Sequence, residues 1–130
     1  MQRQVVEVPG LSEVFRKSGV PLSAAIKANG FVFVSGLPPM DPATGAFIKG
    51  DVVAQAERSL ANVKLVLESA GSSLDKVCKV TVFASNAGYF KAINEVYQRY
   101  FPHNPPARTF VAVGSWPAEF DIEFECIAVA

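Results

Sequence analysis

Between Asp51 and Ser85 the spacing of apolar residues changes period once, and that change excludes an all-helical or an all-strand chain. Val52, Ala56, Leu60, Val63 and Leu67 recur at helical spacing, with Glu57, Arg58, Asn62 and Lys64 on the other faces. Asp51 is placed to cap this helix, and Gly71 suits a left-handed residue just past its end. The run "DKVCKVTVFAS" that follows alternates around β-branched residues and predicts a strand.

The rest of the chain repeats this alternation. "QVVEV" (4–8) is strand-like, and "SAAIKANGFVFVSG" predicts two strands joined at Asn29-Gly30, a pair that favours a tight hairpin turn. "NAGYFKAINEVYQRYF" predicts a second helix, with Phe90, Ile93, Tyr97 and Tyr100/Phe101 on one stripe and Pro102 as its stop. The segments 107–113 and 120–129 predict a closing hairpin across "GSWPAE". The expected order is β-β-β-α-β-α-β-β, an α+β sandwich with a mixed sheet and two helices on one face. A chain of 130 residues with no linker or repeat fits a single domain over 1–130. The far face of the sheet then needs a cover, and its apolar strands favour other subunits.

Charge narrows the partners. Twelve basic residues balance twelve acidic ones, so the chain lacks the long-range field of a nucleic-acid or anionic-membrane binder. "MQRQVVEVPG" has no apolar signal-peptide core, and no apolar run approaches the ~18 residues that span a bilayer. Cys78 and Cys126 lack metal-ligand spacing and read as buried thiols of a reducing compartment. There is no Ser-His-Asp set and no glycine-rich nucleotide loop; the single histidine, His103, reads as a loop residue.

Arg108 is the charge that stands out, because it opens the strand-like run "ARTFVAV". A buried guanidinium stripped of its partner costs about 3–5 kcal/mol. It therefore reaches solvent, pairs with a protein carboxylate or awaits an anionic ligand. Side chains alternate along strands, so Arg108, Phe110 and Ala112 share one face of their strand, and Asp121, Glu123 and Glu125 share one face of theirs, the same face of the sheet in the register below. If Val113 pairs near Phe120, Arg108 falls opposite Glu125 and diagonal to Glu123. That arrangement is either an ordinary cross-strand ion pair or a carboxylate clamp with a base beside it. Asn94, between Phe90 and Tyr97, is a satisfied amide or a cleft group. Ser35-Gly36 is a strand exit or a place where a ligand approaches backbone. Lys27 and Lys79 read as charges on the sheet or oligomer surface.

Together, "FVFVSGLPPMDPATG", "DVVAQAERSLANVKLVLESAGSSLDKVCKVTVF", "YFKAINEVYQRYF" and "PPARTFVAV…DIEFECIAVA" resemble the RidA/YjgF family, once called L-PSP endoribonucleases. The resemblance implies a chorismate-mutase-like α+β fold and a cytoplasmic homotrimer with ligand clefts between subunits. It implies cofactor-free hydrolysis of enamine or imine intermediates to 2-keto acids and ammonia. Arg108 matches the arginine that clamps the substrate carboxylate, and Glu123 the glutamate that positions or activates water. Ser35, Gly36 and Asn94 match cleft-lining positions, and main-chain groups near Thr109 are placed to bind the water or the departing nitrogen.

Two positions depart from the family pattern. Leu22 stands where a tyrosine is typical, and Phe110 where a cysteine is typical, so the cleft becomes more apolar. The alternative is a trimeric binding protein that holds a small carboxylate or keto acid without turning it over. A ribonuclease follows only from the older family name and is opposed by the neutral charge.

Overall fold

The structure is a computed structural model and describes residues 2–130. Six strands form one mixed sheet: β1 (Gln4–Val6), β2 (Ala25–Ala28), β3 (Phe31–Leu37), β4 (Val77–Ala84), β5 (Ala107–Ala112) and β6 (Ile122–Val129). Three α-helices accompany it: α1 (Leu11–Ser18), α2 (Val52–Ser69) and α3 (Phe90–Tyr100). The β2–β3 turn has Asn29 and Gly30 both at positive φ, the geometry a two-residue hairpin of right-handed twist requires. Helix α2 begins as its sequence indicates, with the Asp51 carboxylate accepting from the Val53 N–H at 2.9 Å. Beyond its end Gly71 is left-handed, with φ of 80°.

Helix α1 is an addition to the expected order. Pro9-Gly10 and Gly19 bracket a short run in which Leu11 and Phe15, four apart, are buried in the common core. Eight residues carry too few turns for a periodic signal to rise above its flanking breakers.

The closing hairpin does not form. The strand order is β1-β2-β3-β6-β4-β5, with β6 between β3 and β4 and antiparallel to both. Strand β5 instead runs parallel to β4 at the sheet edge, and α3 supplies the crossover between them. Burial explains the exchange. Ile122, Phe124, Cys126 and Ala128 of β6 are all buried, as suits a central strand, whereas β5 is at most half-buried. An edge tolerates an arginine that a central strand would not. The segment 113–121, with Gly114 and Pro117, is also a poor tight turn.

One face of the sheet carries the core. Val80, Val82 and Ala84 of β4 and the buried residues of β6 meet Leu60, Val63 and Leu67 of α2 and Ile93 and Val96 of α3. The other face carries Phe33 (43 % exposed), Phe31, Val129 and Val111 beside Thr81, Glu123 and Glu125. Cys126 is buried, but Cys78 is exposed, because Cys78 lies where the β4–β6 pairing shifts register. No helix among the described residues is long and apolar enough to cross a membrane.

Candidate active site

Arg108 faces the helices. It pairs with Val80 across β4, and Val80 in turn aligns with Cys126, so its side chain shares the core face. Glu123 and Glu125 align with Phe83 and Thr81 and point to the opposite face. The cross-strand neighbourhood expected from a β5–β6 hairpin is therefore absent: β4 separates the two strands, and the carboxylates and the guanidinium lie on opposite sides of one sheet.

On the helix side, the guanidinium carbon of Arg108 is 4.8 Å from the Tyr97 ring centroid and 5.4 Å from that of Phe90. These residues are seven apart on α3, about 10.5 Å along the axis, so Arg108 sits between the two rings. Such contacts contribute roughly 0.5–2 kcal/mol each. Among the described residues Arg108 has neither an ion pair nor a hydrogen bond to a side chain. Beside it opens a cleft of about 500 Å³, lined by Arg108, Asn94, Tyr97, Gln98, Pro105 and Pro106 among others.

Two further groups there lack partners. Asn94 Oδ1 and the Tyr97 hydroxyl are buried with no hydrogen bond. Leaving such a group unmatched costs about 1–3 kcal/mol. Burial pushes the Tyr97 phenol up to about 12 despite the opposing charge of Arg108, so it remains a neutral donor. Tyr97 is held by Phe101, with ring centroids 4.7 Å apart, and stacks on Phe124 of β6 at 6.2 Å.

On the opposite face Glu123 is half-buried over Gly36. The β3–β6 register shifts between Val34 and Leu37, and this bulge brings the Gly36 backbone under the carboxylate; a Cβ there would overlap it. Burial, and then the neighbouring charge of Glu125, raise the Glu123 pKa above the ordinary carboxylate value. Ser35 is pinned next to it: its N–H donates to Ala24 O at 3.0 Å and its hydroxyl to Ser23 O at 2.6 Å. Leu22 is exposed in the same 20–24 segment.

The sequence-derived candidates thus fall into two groups. Arg108, Asn94 and Phe110 gather on the helix face; Glu123, Ser35 and Gly36 lie across the sheet, and Leu22 joins neither group, lining a separate pocket with Ser12 and Arg16 of α1. Thr109 turns its side chain to that second face, where its hydroxyl accepts from Lys79 Nζ at 2.6 Å. Val113 N–H donates to Ala84 O, so by strand alternation the N–H of Thr109 also points to β4. The free edge of β5 is offered by the backbone of Arg108 and Phe110 instead. Tyr97 and Phe90 are the site residues that periodicity hides, since both read as core stripe. The available signal was a strand cation that had to face an aromatic helix. No group of three or more metal-ligating side chains occurs among the described residues.

The model of the endoribonuclease L-PSP family matches residues 16–130. The chain belongs to the RidA/YjgF (L-PSP) family. A RutC family protein of Pyrococcus abyssi is 46 % identical over 108 residues, 83 % of this chain and 85 % of that one. The chloroplastic Reactive Intermediate Deaminase A of Arabidopsis thaliana is 41 % identical over 83 % of this chain and 58 % of its own length. Among solved structures, a putative endoribonuclease of Thermotoga maritima superposes with a TM-score of 0.90 at 43 % identity, covering 100 % of this chain and 98 % of that one. Escherichia coli TdcF with bound serine gives 0.84 at 34 % identity, covering 98 % of each. The family thus includes a named reactive-intermediate deaminase and a member with an amino acid bound, and its fold is the one described above.

Proposed function

We propose that the chain is an imine deaminase that hydrolyses 2-imino acids to 2-keto acids and ammonia in a homotrimer with sites between subunits. The observation that carries this reading is Arg108: a guanidinium bracketed by aromatic rings, free of any carboxylate among the described residues, at a cleft with an unmatched acceptor and an unmatched donor. Two N–H groups of the fork suit a substrate carboxylate.

Glu123 supplies the base, and its raised pKa gives it useful basicity. Because Glu123 and Arg108 occupy opposite faces of one chain, a site using both needs the Arg108 edge of one subunit against the Glu123 face of the next. The exposed Phe31, Phe33 and Val129 support burial of that face in an assembly. In the reaction, water oxygen bonds to the iminium carbon while Glu123 accepts the water proton. That proton then passes to the nitrogen of the carbinolamine. The C–N bond breaks with its electron pair on nitrogen, the hydroxyl gives its proton to Glu123, which passes it to the departing ammonia, and keto acid and ammonium result. Holding the carboxylate and the water in line supplies much of the acceleration, and no covalent nucleophile is needed. Free cysteines at Cys78 and Cys126 fit a reducing, cytoplasmic setting.

The test generates imino acids in situ with an amino-acid oxidase, semicarbazide competing for the imine. Wild type should accelerate keto-acid formation, and Arg108→Ala and Glu123→Gln should each lower kcat/KM by at least roughly 100-fold. No acceleration with any imine rejects the deaminase. The serine bound to TdcF favours one second reading, a protein that captures small amino or keto acids without turnover. Saturable binding lost in Arg108→Ala, without hydrolysis, would establish it.

A further inference from the structure

Phe110 and Phe90 stand together beside the clamp. Phe110 follows Arg108 by two residues on the same face of β5, and its ring meets Phe90 edge-on with centroids 5.1 Å apart. Phe90 is 45 % exposed although it opens α3 on the stripe that buries Ile93 and Tyr97. The same ring flanks the Arg108 guanidinium. An exposed aromatic ring held on one side by a second ring and on another by the carboxylate-binding cation offers an apolar floor next to a fixed anchor.

The geometry points to Phe90, backed by Phe110, as the specificity-determining subsite for the substrate side chain, selecting 2-imino acids with large apolar side chains, aromatic ones best. This assignment rests on Arg108 being the carboxylate clamp proposed above. Phe90 stands outside the cleft lined by Tyr97, Phe101 and the prolines, 5.4 Å from the guanidinium carbon, so a side chain that leaves a clamped carboxylate on the side away from that cleft meets the Phe90 ring. A phenyl group there adds a third member to an edge-to-face cluster. A methyl or hydroxymethyl group leaves the ring exposed to water. The polar alternatives, Asn94 Oδ1 and the Tyr97 hydroxyl, belong to residues that line the cleft on the Tyr97 side of Arg108 and suit the imine nitrogen and the carboxylate, not the side chain.

The test is a ratio. The kcat/KM for phenylalanine-derived imine, divided by that for alanine-derived imine, is measured in wild type, Phe90→Ala and Phe110→Cys, with folding checked by circular dichroism. Loss of support for Arg108 would slow both substrates alike and leave the ratio fixed, so the ratio isolates the side-chain contact. Wild type should prefer the aromatic imine roughly 10-fold or more, and both variants should reduce that preference by a similar factor. A wild-type preference for the alanine imine, or a ratio untouched by both variants, overturns the assignment.

Calorimetric Kd values for phenylpyruvate and pyruvate supply the same ratio without turnover. If no imine is hydrolysed but phenylpyruvate binds at least roughly 10-fold tighter and Phe90→Ala abolishes the difference, the deaminase fails and the subsite stands. If Arg108→Ala leaves both Kd values unchanged, the clamp itself is wrong and the subsite falls with it.

Discussion

Glu123 shows how one residue couples stability to chemistry. Its carboxyl is desolvated and lies near Glu125, and its pKa is raised on folding. A raised acid favours the folded state fully below the unfolded pKa, and that contribution is lost as pH rises through the folded value. Neutral pH therefore carries a stability cost, and Glu123→Gln should melt above wild type at pH 7–8. The gap should close as pH falls below about 4, where the carboxyl is neutral in both states. A melting series across that range checks it, and a variant that melts below wild type at neutral pH contradicts it. Arg108 was legible from sequence as a charge out of place. Its surroundings were not, because Tyr97 and Phe90 carry the same helical spacing whether they fill a core or flank a cation.

At the scale of elements, the bulge in β3 brings Gly36 and Ser35 to Glu123. Gly36 lets the Glu123 carboxylate lie against the backbone, and Ser35 is fixed by the 23–24 carbonyls. Gly36→Ala should push the carboxylate into water. The acidic limb of the kcat/KM profile should then move down toward the ordinary glutamate value while the chain stays folded, at a cost of about 1–3 kcal/mol. An acidic limb that stays in place would show that Gly36 does not set the environment of Glu123. Helix α2, its cap and the Asn29-Gly30 turn were readable because each is decided by neighbours in sequence. Pairing was not: β6 and β5 adjoin in the chain, and only the full burial of every second residue of β6 against the largely exposed β5 assigns β6 to the centre and β5 to the edge. A wrong partner carried a wrong face with it, and the expected Arg108–Glu125 neighbourhood went the same way.

For the whole molecule, one sheet separates Arg108 from Glu123, the proposed clamp from the proposed base. In the assembly proposed above each site draws Arg108 from one subunit and Glu123 from the next. Arg108→Ala and Glu123→Gln, each inactive alone, should then complement when unfolded together and refolded as an equal mixture. Random assembly returns about one quarter of the wild-type sites. Complete absence of recovered activity, with mixed oligomers demonstrated by mass, would place both groups in one subunit's site.

The separation of Arg108 and Glu123 also has a genetic reading. In the proposed assembly, a chain that lacks only the arginine still lends its glutamate to a neighbour, so a cell making equal amounts of it and wild type keeps about half of its sites. A chain that lacks both spoils the site on each of its flanks, and about one quarter survive. Damage to one half of the site would behave as a simple loss of dose, whereas damage to both would act on the healthy copy as well.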